Sequence, residues 1–278
     1  MLEIFKTVLI LSVFGFGITA LLLLLKPITS KKFPAKWQYY VWILVLFSMI
    51  IPAYKLVPTE EVQKIPAIVR NEGVEQDIPQ NSQETPQTVI FNDKPVESEE
   101  ADITENSHFE LFNIFSYVWF VGMCVYLAIV LIGYWIYIFN KHKKAVAITD
   151  NSLLNDVKKE LNIKRNIKIK MLPDIQSPML AGVLFPVIYI PCKDIPKDNM
   201  RLVLLHELTH YKRKDLLIKW FSLFVNAVHW FNPLSYVLCA NISESCEISC
   251  DMAVTKNMSG DEQKVYMKTI LDMVEQEG

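Results

Sequence analysis

The sequence has 278 residues, of which 51% are apolar, and its formal net charge is −2. This nearly neutral balance, without a basic block that contains interleaved aromatic residues, lacks the signature of nucleic-acid binding, so we expect no direct nucleic-acid partner. The apolar residues are instead collected into long uncharged stretches, which is typical of a membrane protein.

Three stretches without a charged residue predict transmembrane helices: Thr7–Leu25, Trp37–Tyr54 and Leu111–Asn140. A helix needs about 20 apolar residues to cross a bilayer core. Aromatic residues lie towards the ends of the stretches, as in an interfacial belt. A cleaved signal peptide is disfavoured for the first stretch, because Lys26-Pro27 follows it in place of a small-residue cleavage site.

Basic residues predict the orientation of these helices. The loop between the first two stretches contains four lysines and no acid, and Lys141, Lys143 and Lys144 follow the third. The positive-inside rule places both groups in the cytoplasm, so we expect the N-terminus outside the cell and residues 141–278 inside. The segment 55–110 contains thirteen acids, four bases and five prolines. It is expected to be extracytoplasmic and mostly disordered.

The cytoplasmic part contains candidate β-strands. Asn166–Met171 alternates apolar residues with lysine, and Val183–Ile190 is an apolar, β-branched run. Because Pro186 cannot donate to a sheet ladder, the second run is predicted to be an edge strand. Such a strand could align a substrate as an added strand, or it could have no substrate role.

The stretch Arg201–Lys214 contains His206, Glu207 and His210 in the order H-E-x-x-H. Residues four apart lie on one face of a helix, so both imidazoles can reach one metal ion. Such a site suits zinc, which leaves one position open for water, and Glu207 is placed to accept a proton from that water. We therefore predict one Zn²⁺ per chain, bound by His206 and His210, with Glu207 as the catalytic base.

The path of the chain after this helix decides which residue can be the third ligand. Trp220–Ser243 carries no formal charge and, as one straight helix, would be long enough to cross the membrane. Asn232-Pro233 disfavours a continuous helix and suits the start of a new one. We therefore predict a helical hairpin, residues 216–251, that dips into the membrane and returns. Its arms are Leu216–Phe231 and Pro233–Asp251.

The returning arm supplies the acidic candidates. Glu247 and Asp251 lie four residues apart on one helical face, so Glu247 can bind the metal while Asp251 holds a ligand in place. Glu244, one turn earlier, is the rival ligand. The alternative is that these acids form a solvated helix face.

Two further features predict packing rather than chemistry. An odd number of cysteines, five, argues against a disulfide framework, and Cys246 and Cys250 are expected to be small packing residues. Ser259 and Glu262 form a predicted capping box. The helix after it has an apolar face that includes Tyr266.

Together these motifs resemble the M56 family of membrane metallopeptidases, the protease part of bacterial β-lactam sensor-transducers. The matching features are HELTH at His206–His210, the Asp215 that follows it, SPMLAG at Ser177–Gly182, HWFNP at His229–Pro233, and the E-x-x-x-D of Glu247 and Asp251. The resemblance covers nearly the whole chain. It implies a gluzincin-like site with Glu247 as the third ligand, and a cytoplasmic cleavage that relays a signal from outside.

The resemblance leaves the input signal open. The β-lactam transducers of the family continue into another span and an extracellular penicillin-binding sensor with a nucleophilic S-x-x-K. This sequence contains no S-x-x-K. We expect either a fragment or a family member with a different input.

We therefore expect a polytopic α-helical membrane protein of the bacterial cytoplasmic membrane, with a cytoplasmic α+β zinc-metallopeptidase (gluzincin-like) domain. Its predicted segments are residues 1–54 with two transmembrane helices, the acidic loop 55–110, the third transmembrane helix 111–140, and the protease domain 141–278 with the hairpin 216–251. The expected partners are membrane lipid and a protein substrate, either a cytoplasmic transcriptional repressor or the chain itself. A homo-oligomer is compatible with the sequence.

The expected activity is zinc-dependent endoproteolysis. Asp215 and Asp251 are expected to hold the metal ligands in place. The transition-state oxyanion needs a further donor, for which Tyr211, Arg213 and His229 are candidates. One alternative is a non-catalytic signalling or scaffold protein with a structural metal site. Another is a membrane protease of the M48 type, which shares H-E-x-x-H and E-x-x-x-D.

Overall fold

The computed structural model describes residues 1–52, 99–193 and 195–274. Most of the loop predicted to be disordered, positions 55–98, therefore lies outside the described residues. The elements are, in chain order, α1 (Leu2–Lys32), α2 (Ala35–Ser48), α3 (Glu99–Lys144), β1 (Val146–Ala147), α4 (Ser152–Glu160), β2 (Lys168–Leu172), β3 (Met179–Ala181), β4 (Val187–Pro191), α5 (Lys197–Arg213), α6 (Asp215–Val228), α7 (Pro233–Thr255) and α8 (Gly260–Val274).

Two of the described helices are long and apolar enough to cross a membrane. They are α1, with 31 residues, and the part of α3 from Glu110 to Lys144, with 35 residues. Both correspond to predicted transmembrane stretches. Helix α3 starts at Glu99, earlier than the predicted span Leu111–Asn140, so the end of the predicted loop is helical.

Helix α2 is shorter than the predicted span Trp37–Tyr54. Its 14 residues, at about 1.5 Å each, give a length of about 21 Å, which is less than the roughly 30 Å of a bilayer core. The helix ends before Pro52, and proline disfavours helical backbone in the residue that precedes it. One face of α2, which includes Tyr39 and Trp42, is buried in a cluster with residues of α6 and α7.

The four strands form one sheet in the order β1-β2-β4-β3. Strands β2 and β4 are parallel, whereas β1 and β3 run antiparallel to their neighbours. The predicted edge position of Val183–Ile190 is wrong, because β4 lies between two partners. Pro186 precedes β4 instead of interrupting it, and its carbonyl accepts a hydrogen bond from the Lys168 amide at 3.4 Å. The edge strand that contacts α5 is β3.

Helix α5 carries the H-E-x-x-H motif. Leu204, Leu205 and Leu208 pack in a core cluster with residues of α4, the sheet, α7 and α8. Lys214 ends the helix in left-handed backbone, with a φ of 61°, which stops the helix and turns the chain. Helix α6 begins at the next residue, Asp215, so the turn brings this carboxylate back beside the motif.

Helices α6 and α7 form a hairpin that breaks at Asn232-Pro233, where the sequence predicts the break. The Asn232 side chain accepts a hydrogen bond from the Leu234 amide at 3.0 Å and so caps α7. Side-chain hydrogen bonds across the hairpin join Asn226 to Ser235, Ser222 to Cys239 and Lys219 to Glu247. The two helices therefore run in opposite directions, and the chain returns to α5. That the hairpin dips into a membrane stays a prediction.

Buried hydrogen bonds tie the tip of the hairpin to the N-terminal helices. His229 Nε2 lies 3.0 Å from the Met49 carbonyl at the end of α2. Asn232 Nδ2 donates to Ser12 Oγ of α1 at 2.9 Å, and a tryptophan of α3 donates to the last carbonyl of α6. All three N-terminal helices thus hold the hairpin at the end that is remote from α5.

Candidate metal centre

His206 and His210 occupy successive turns of α5, and their Nε2 atoms lie 3.1 Å apart. Glu247 reaches them from α7. Its Oε2 atom lies 3.1 Å from His210 Nε2 and 3.7 Å from His206 Nε2. The helix of the H-E-x-x-H motif and the returning arm of the hairpin therefore bring three donor atoms together.

The spacing of these atoms fits a tetrahedral zinc ion. Zinc bonds to imidazole nitrogen and carboxylate oxygen are about 2.0–2.1 Å long, which places tetrahedral neighbours about 3.3–3.4 Å apart. The separations of 3.1 Å, 3.1 Å and 3.7 Å lie on both sides of that value. Two imidazoles and one carboxylate are also a donor set that catalytic zinc sites use. His206, His210 and Glu247 could therefore hold a zinc ion.

The imidazole of His206 is oriented through its second nitrogen. Nδ1 lies 2.7 Å from the Tyr266 hydroxyl and 3.2 Å from Asp251 Oδ1. The Tyr266 hydroxyl also lies 2.7 Å from Asp251 Oδ1, and this tyrosine of α8 is fully buried. A partner on Nδ1 fixes the ring and leaves Nε2 free for a metal ion.

The imidazole of His210 is oriented in the same way by different residues. Its Nδ1 lies 2.8 Å from Asp215 Oδ2. Asp215 also accepts a hydrogen bond from the Tyr39 hydroxyl at 3.0 Å and pairs with Arg213 Nε at 3.2 Å. Its side chain is only 2% exposed. Tyr39 belongs to α2, so a helix of the N-terminal part takes part directly in the site.

Glu247 uses its two carboxylate oxygens differently. Oε2 faces the histidines, whereas Oε1 accepts a hydrogen bond from Lys219 Nζ of α6 at 2.8 Å. Glu244, the rival ligand in the sequence, lies elsewhere: its Oε2 accepts a hydrogen bond from Lys26 Nζ of α1 at 2.8 Å. Of these two acids, the structure brings Glu247 to the histidines.

Glu207 lines a cavity of about 450 Å³, together with both histidines and Glu247. Its carboxylate is hydrogen-bonded to the backbone of Leu180 in the edge strand β3. Burial raises the pKa of Glu207, and the neighbouring imidazoles only partly offset that effect. A buried carboxylate with a raised pKa at the wall of a cavity suits a general base.

The acids around the histidines favour positive charge in the site. Burial by itself lowers the pKa of His206, but hydrogen bonds with Asp251 and Glu247 outweigh burial and raise the pKa to about 10. Burial also lowers the pKa of His210, and its hydrogen bond with Asp215 contributes most to raising that pKa far above its ordinary range. The same carboxylates would stabilise a divalent cation that replaces the protons.

The structure does not bring the three candidate oxyanion donors into this cavity. Tyr211 lines a neighbouring cavity, and Arg213 is paired with Asp215. His229 lies beyond the far end of α6, about 20 Å from Asp215 by helix length. Lys219 is a cation that does line the cavity.

Three residues of the site were missed in the sequence: Tyr39, Lys219 and Tyr266. The sequence indicated that Tyr266 packs and that Tyr39 belongs to a membrane span. A buried tyrosine hydroxyl needs a hydrogen-bond partner, but no sequence spacing indicates which acid it meets. Lys219 did carry a signal, because it is the only formal charge in the apolar arm Leu216–Phe231, and such a charge needs a partner.

Cys246 and Cys250 are buried, as expected of packing residues. By distance alone, either sulfur could join a histidine in a metal site. Cys246 Sγ, however, lies 4.0 Å from His210 Nδ1, the nitrogen that Asp215 holds, rather than beside Nε2. Cys250 Sγ lies 3.7 Å from the backbone oxygen of His206. We therefore prefer Glu247 as the third donor.

Comparison with known proteins identifies the family. A family model described as BlaR1 peptidase M56 matches residues 6–278. The chain belongs to this M56 peptidase family, which confirms the resemblance seen in its motifs. Membership of this peptidase family, together with two helices long and apolar enough to cross a membrane, agrees with the class of membrane metallopeptidase that the motifs indicate.

Individual relatives agree with this assignment. The chain is 30% identical over 260 residues to the regulatory protein BlaR1 of Bacillus licheniformis. The aligned region covers 90% of this chain and 42% of the relative. It is 26% identical over 277 residues to the regulatory protein BlaR1 of Staphylococcus aureus, and the aligned region covers 96% of this chain and 45% of that relative. The methicillin resistance mecR1 protein of Staphylococcus epidermidis is 30% identical to this chain over 111 residues, which are 39% of this chain and 19% of that relative. The chain thus spans less than half the length of these relatives.

Proposed function

We propose that the chain is an integral-membrane zinc endopeptidase that cleaves a protein on the cytoplasmic side of the membrane as part of transmembrane signalling. The observation that carries the proposal is the convergence of His206 Nε2, His210 Nε2 and Glu247 Oε2 within 3.7 Å. Glu207 in the same cavity supports catalysis, since a purely structural metal site needs no buried base beside it.

Each side chain has a separate part in the proposed reaction. A bound zinc ion supplies Lewis acidity to the scissile carbonyl and the attacking water. The Glu207 carboxylate accepts the proton of that water and donates it to the nitrogen of the leaving amine. Asp251 and Asp215 hold Nδ1 of the two imidazoles, which keeps each Nε2 directed at the ion. Lys219 binds the outer oxygen of Glu247, so the other oxygen stays turned to the histidines.

Strand β3 is the proposed binding edge for the substrate backbone. One side of β3 pairs with β4, with Leu180 opposite Ile188. Residues of β3 also line the cavity that contains Glu207. A substrate segment in extended conformation could add to the other edge of β3 through main-chain hydrogen bonds, replacing the hydrogen bond between the Leu180 backbone and Glu207. Such an arrangement would place a peptide bond beside the base without requiring one particular substrate side chain.

Contacts between the N-terminal helices and the site support a signalling role. Tyr39 of α2 bonds to Asp215, and Lys26 of α1 bonds to Asn241 and Glu244 of α7. A displacement of α1 or α2 would therefore act on groups that position the metal ligands. The relatives are named as a regulatory protein and a resistance protein, which supports a regulatory outcome of the cleavage. We propose that the substrate is a cytoplasmic transcriptional repressor or the chain itself.

The proposed topology is the one that the lysines predict. The N-terminus and the acidic segment lie outside, and residues 141–278 lie in the cytoplasm. Reporter fusions within the acidic segment and after Lys144 test this orientation. An extracytoplasmic reporter after Lys144 would contradict it.

The substrate can be sought by comparing new protein N-termini in cells that carry the wild-type chain or the Glu207→Gln variant. This substitution removes the base and retains the ligands, so the wild type alone should produce cleavage fragments. Glu244→Gln is the matched control, because Glu244 lies away from the histidines, and it should give the wild-type fragments. Identical N-termini with wild type and Glu207→Gln would contradict the protease assignment.

A further inference from the structure

The turn between β3 and β4, residues 182–186, presents two strongly exposed apolar side chains. Leu184 is 71% exposed and Phe185 is 84% exposed. Among the described residues outside α1–α3, no other large apolar side chain is as exposed as these two. Adjacent large apolar groups in water are unfavourable in proportion to their area, which raises the question of what covers them.

The rest of the domain holds this turn in shape. Gly182 has a φ of +84°, a conformation that side chains rarely adopt, and an added Cβ would collide with the Phe185 carbonyl. The Arg165 guanidinium donates a hydrogen bond to the Leu184 carbonyl. Pro186 is buried at the entrance to β4. The apolar tip is therefore a fixed projection of the sheet.

The surface around the tip is basic. A cavity of about 350 Å³ beside the turn is lined by Lys164, Arg165, Lys212 and Lys214. The residues that line it, all in the described part of the chain, include no acid. The four cations come from two separate segments, before β2 and at the α5–α6 junction, so the fold gathers them. A partner of this surface should be apolar where it meets the tip and anionic around it.

The same cavity places the turn beside the start of the apolar hairpin. Leu216 and Leu217 of α6 line it, and Leu217 is 46% exposed. From this point α6 continues as a strongly apolar helix, Asp215–Val228, the arm predicted to enter the membrane. The exposed tip and the entrance to the hairpin therefore lie on one side of the domain.

We propose that residues 182–186 form a membrane anchor. Leu184 and Phe185 insert into the leaflet that the hairpin enters, and the surrounding lysines and arginine bind the phosphates of anionic lipids. Apolar groups next to Lys and Arg are the pattern of interfacial binding, in which the apolar part lies about 5–10 Å into the boundary between headgroups and acyl chains. Each basic residue near an anionic leaflet adds attraction.

The anchor has a consequence for substrate choice, which rests on the proposed protease function. The turn follows β3 directly, so insertion of the tip holds the proposed substrate edge at the membrane surface. Peptide bonds close to the bilayer would then reach Glu207 more readily than bonds far from it.

The anchor is tested by measuring the depth of a fluorescent label. The full chain carries Phe185→Cys, with the exposed Cys124 and Cys192 replaced by serine, and is labelled with an environment-sensitive dye. It is placed in nanodiscs whose lipids have brominated acyl chains, which quench only at contact. We expect a blue-shifted emission and strong quenching, greater in anionic than in zwitterionic lipid.

Val265→Cys in the same background is the matched control. Val265 is 53% exposed, but it lines a cavity with three acids, Glu160, Asp261 and Glu262, and a single base, Arg201, so an anionic leaflet would repel this side of the domain. Its label should emit as in water and stay unquenched. If the label at position 185 behaves like the label at position 265, the tip lies in water or against a soluble partner, and the anchor is wrong.

A charge variant tests the lipid phosphates separately. Lys164→Gln with Lys212→Gln should remove most of the difference in quenching between anionic and zwitterionic lipid and leave quenching in zwitterionic lipid unchanged. An undiminished difference would contradict the role of these cations. None of these measurements involves zinc or proteolysis, so their outcome is independent of the proposed function.

Discussion

The two histidines of the metal centre are held by the same kind of group from different parts of the molecule. His206 is oriented by an aspartate and a tyrosine from α7 and α8, both in the C-terminal part of the chain. His210 is oriented by Asp215, which is itself held by Tyr39 of α2. Each imidazole therefore has one carboxylate and one phenol behind it, but among the described residues only His210 is connected to the N-terminal helices by side-chain hydrogen bonds of this kind.

This difference indicates where a signal from the membrane would reach the chemistry. Asp251 and Tyr266 are only 15 positions apart and belong to successive helices, so their contact lies within the C-terminal part of the chain. Tyr39 and Asp215 are 176 positions apart, and their contact depends on how α2 packs against the hairpin. A shift of α2 would therefore change the support of His210 directly through Tyr39, whereas it would reach Asp251 and His206 only through the packing of α2 on α7.

The largest expected effect is the loss of zinc on substitution of a ligand, and this loss should be the same for His206 and His210. His206→Ala and His210→Ala each leave two of three protein donors, so each purified variant should lose its zinc. Metal analysis of the purified protein by mass spectrometry measures this. Full zinc occupancy in a variant that carries both substitutions would contradict the assignment of the site.

The aspartates should begin to separate the two sides. Asp215→Asn and Asp251→Asn should each weaken zinc binding, by about 10- to 100-fold for such supporting groups. We expect the larger loss for Asp215, because its side chain is 2% exposed and that of Asp251 is 29% exposed, so water replaces the lost contacts less well. Competition with a zinc chelator gives both affinities. Equal losses would argue that burial does not distinguish the two supports.

A smaller effect is expected from Tyr39→Phe, which keeps the ring and removes the hydroxyl. The loss of one hydrogen bond to a buried carboxylate should weaken zinc binding roughly 2- to 10-fold. Tyr40→Phe is the matched control. The side chain of Tyr40 is 57% exposed, so this variant should leave the affinity for zinc unchanged. If both variants bind zinc like the wild type, α2 does not act on the metal centre through this contact.

The smallest effect is expected from Tyr266→Phe. The variant removes a hydroxyl that lies 2.7 Å from His206 Nδ1. Asp251 Oδ1 lies 3.2 Å from the same nitrogen and is partly exposed, so the carboxylate can still hold the imidazole while water replaces the hydroxyl at the carboxylate. The same chelator competition should therefore show a smaller loss than for Tyr39→Phe. A larger loss would reverse the comparison and place the sensitive support on the His206 side.

The residues that sequence could predict are those with a local signal. H-E-x-x-H places two imidazoles on one helical face, and Asn232-Pro233 marks the break that lets Glu247 return to them. Pro186 indicated a restricted strand but not where the strand begins, since a proline at the entrance does not interrupt a ladder. The predicted edge strand was therefore assigned to β4 instead of β3.

The contacts of Tyr39 and Tyr266 could not be predicted. Each contact joins separate elements, and the sequence distance between them does not predict how they pack. In the pattern of its own helix, each tyrosine looks like one more apolar residue. The length of α2 was overestimated for a related reason. An uncharged stretch gives the length of apolar sequence, whereas the helix ends before Pro52.

Glu247 is proposed to bind the metal and Glu207 to act on the substrate, and these two roles can be separated in a single experiment. Zinc content and endopeptidase activity are measured together for purified Glu247→Gln, Glu207→Gln and the control Glu244→Gln. We expect Glu247→Gln to lose zinc and activity, Glu207→Gln to keep zinc and lose activity, and Glu244→Gln to keep both. Retention of zinc by Glu247→Gln, with zinc lost from Glu207→Gln, would contradict the account.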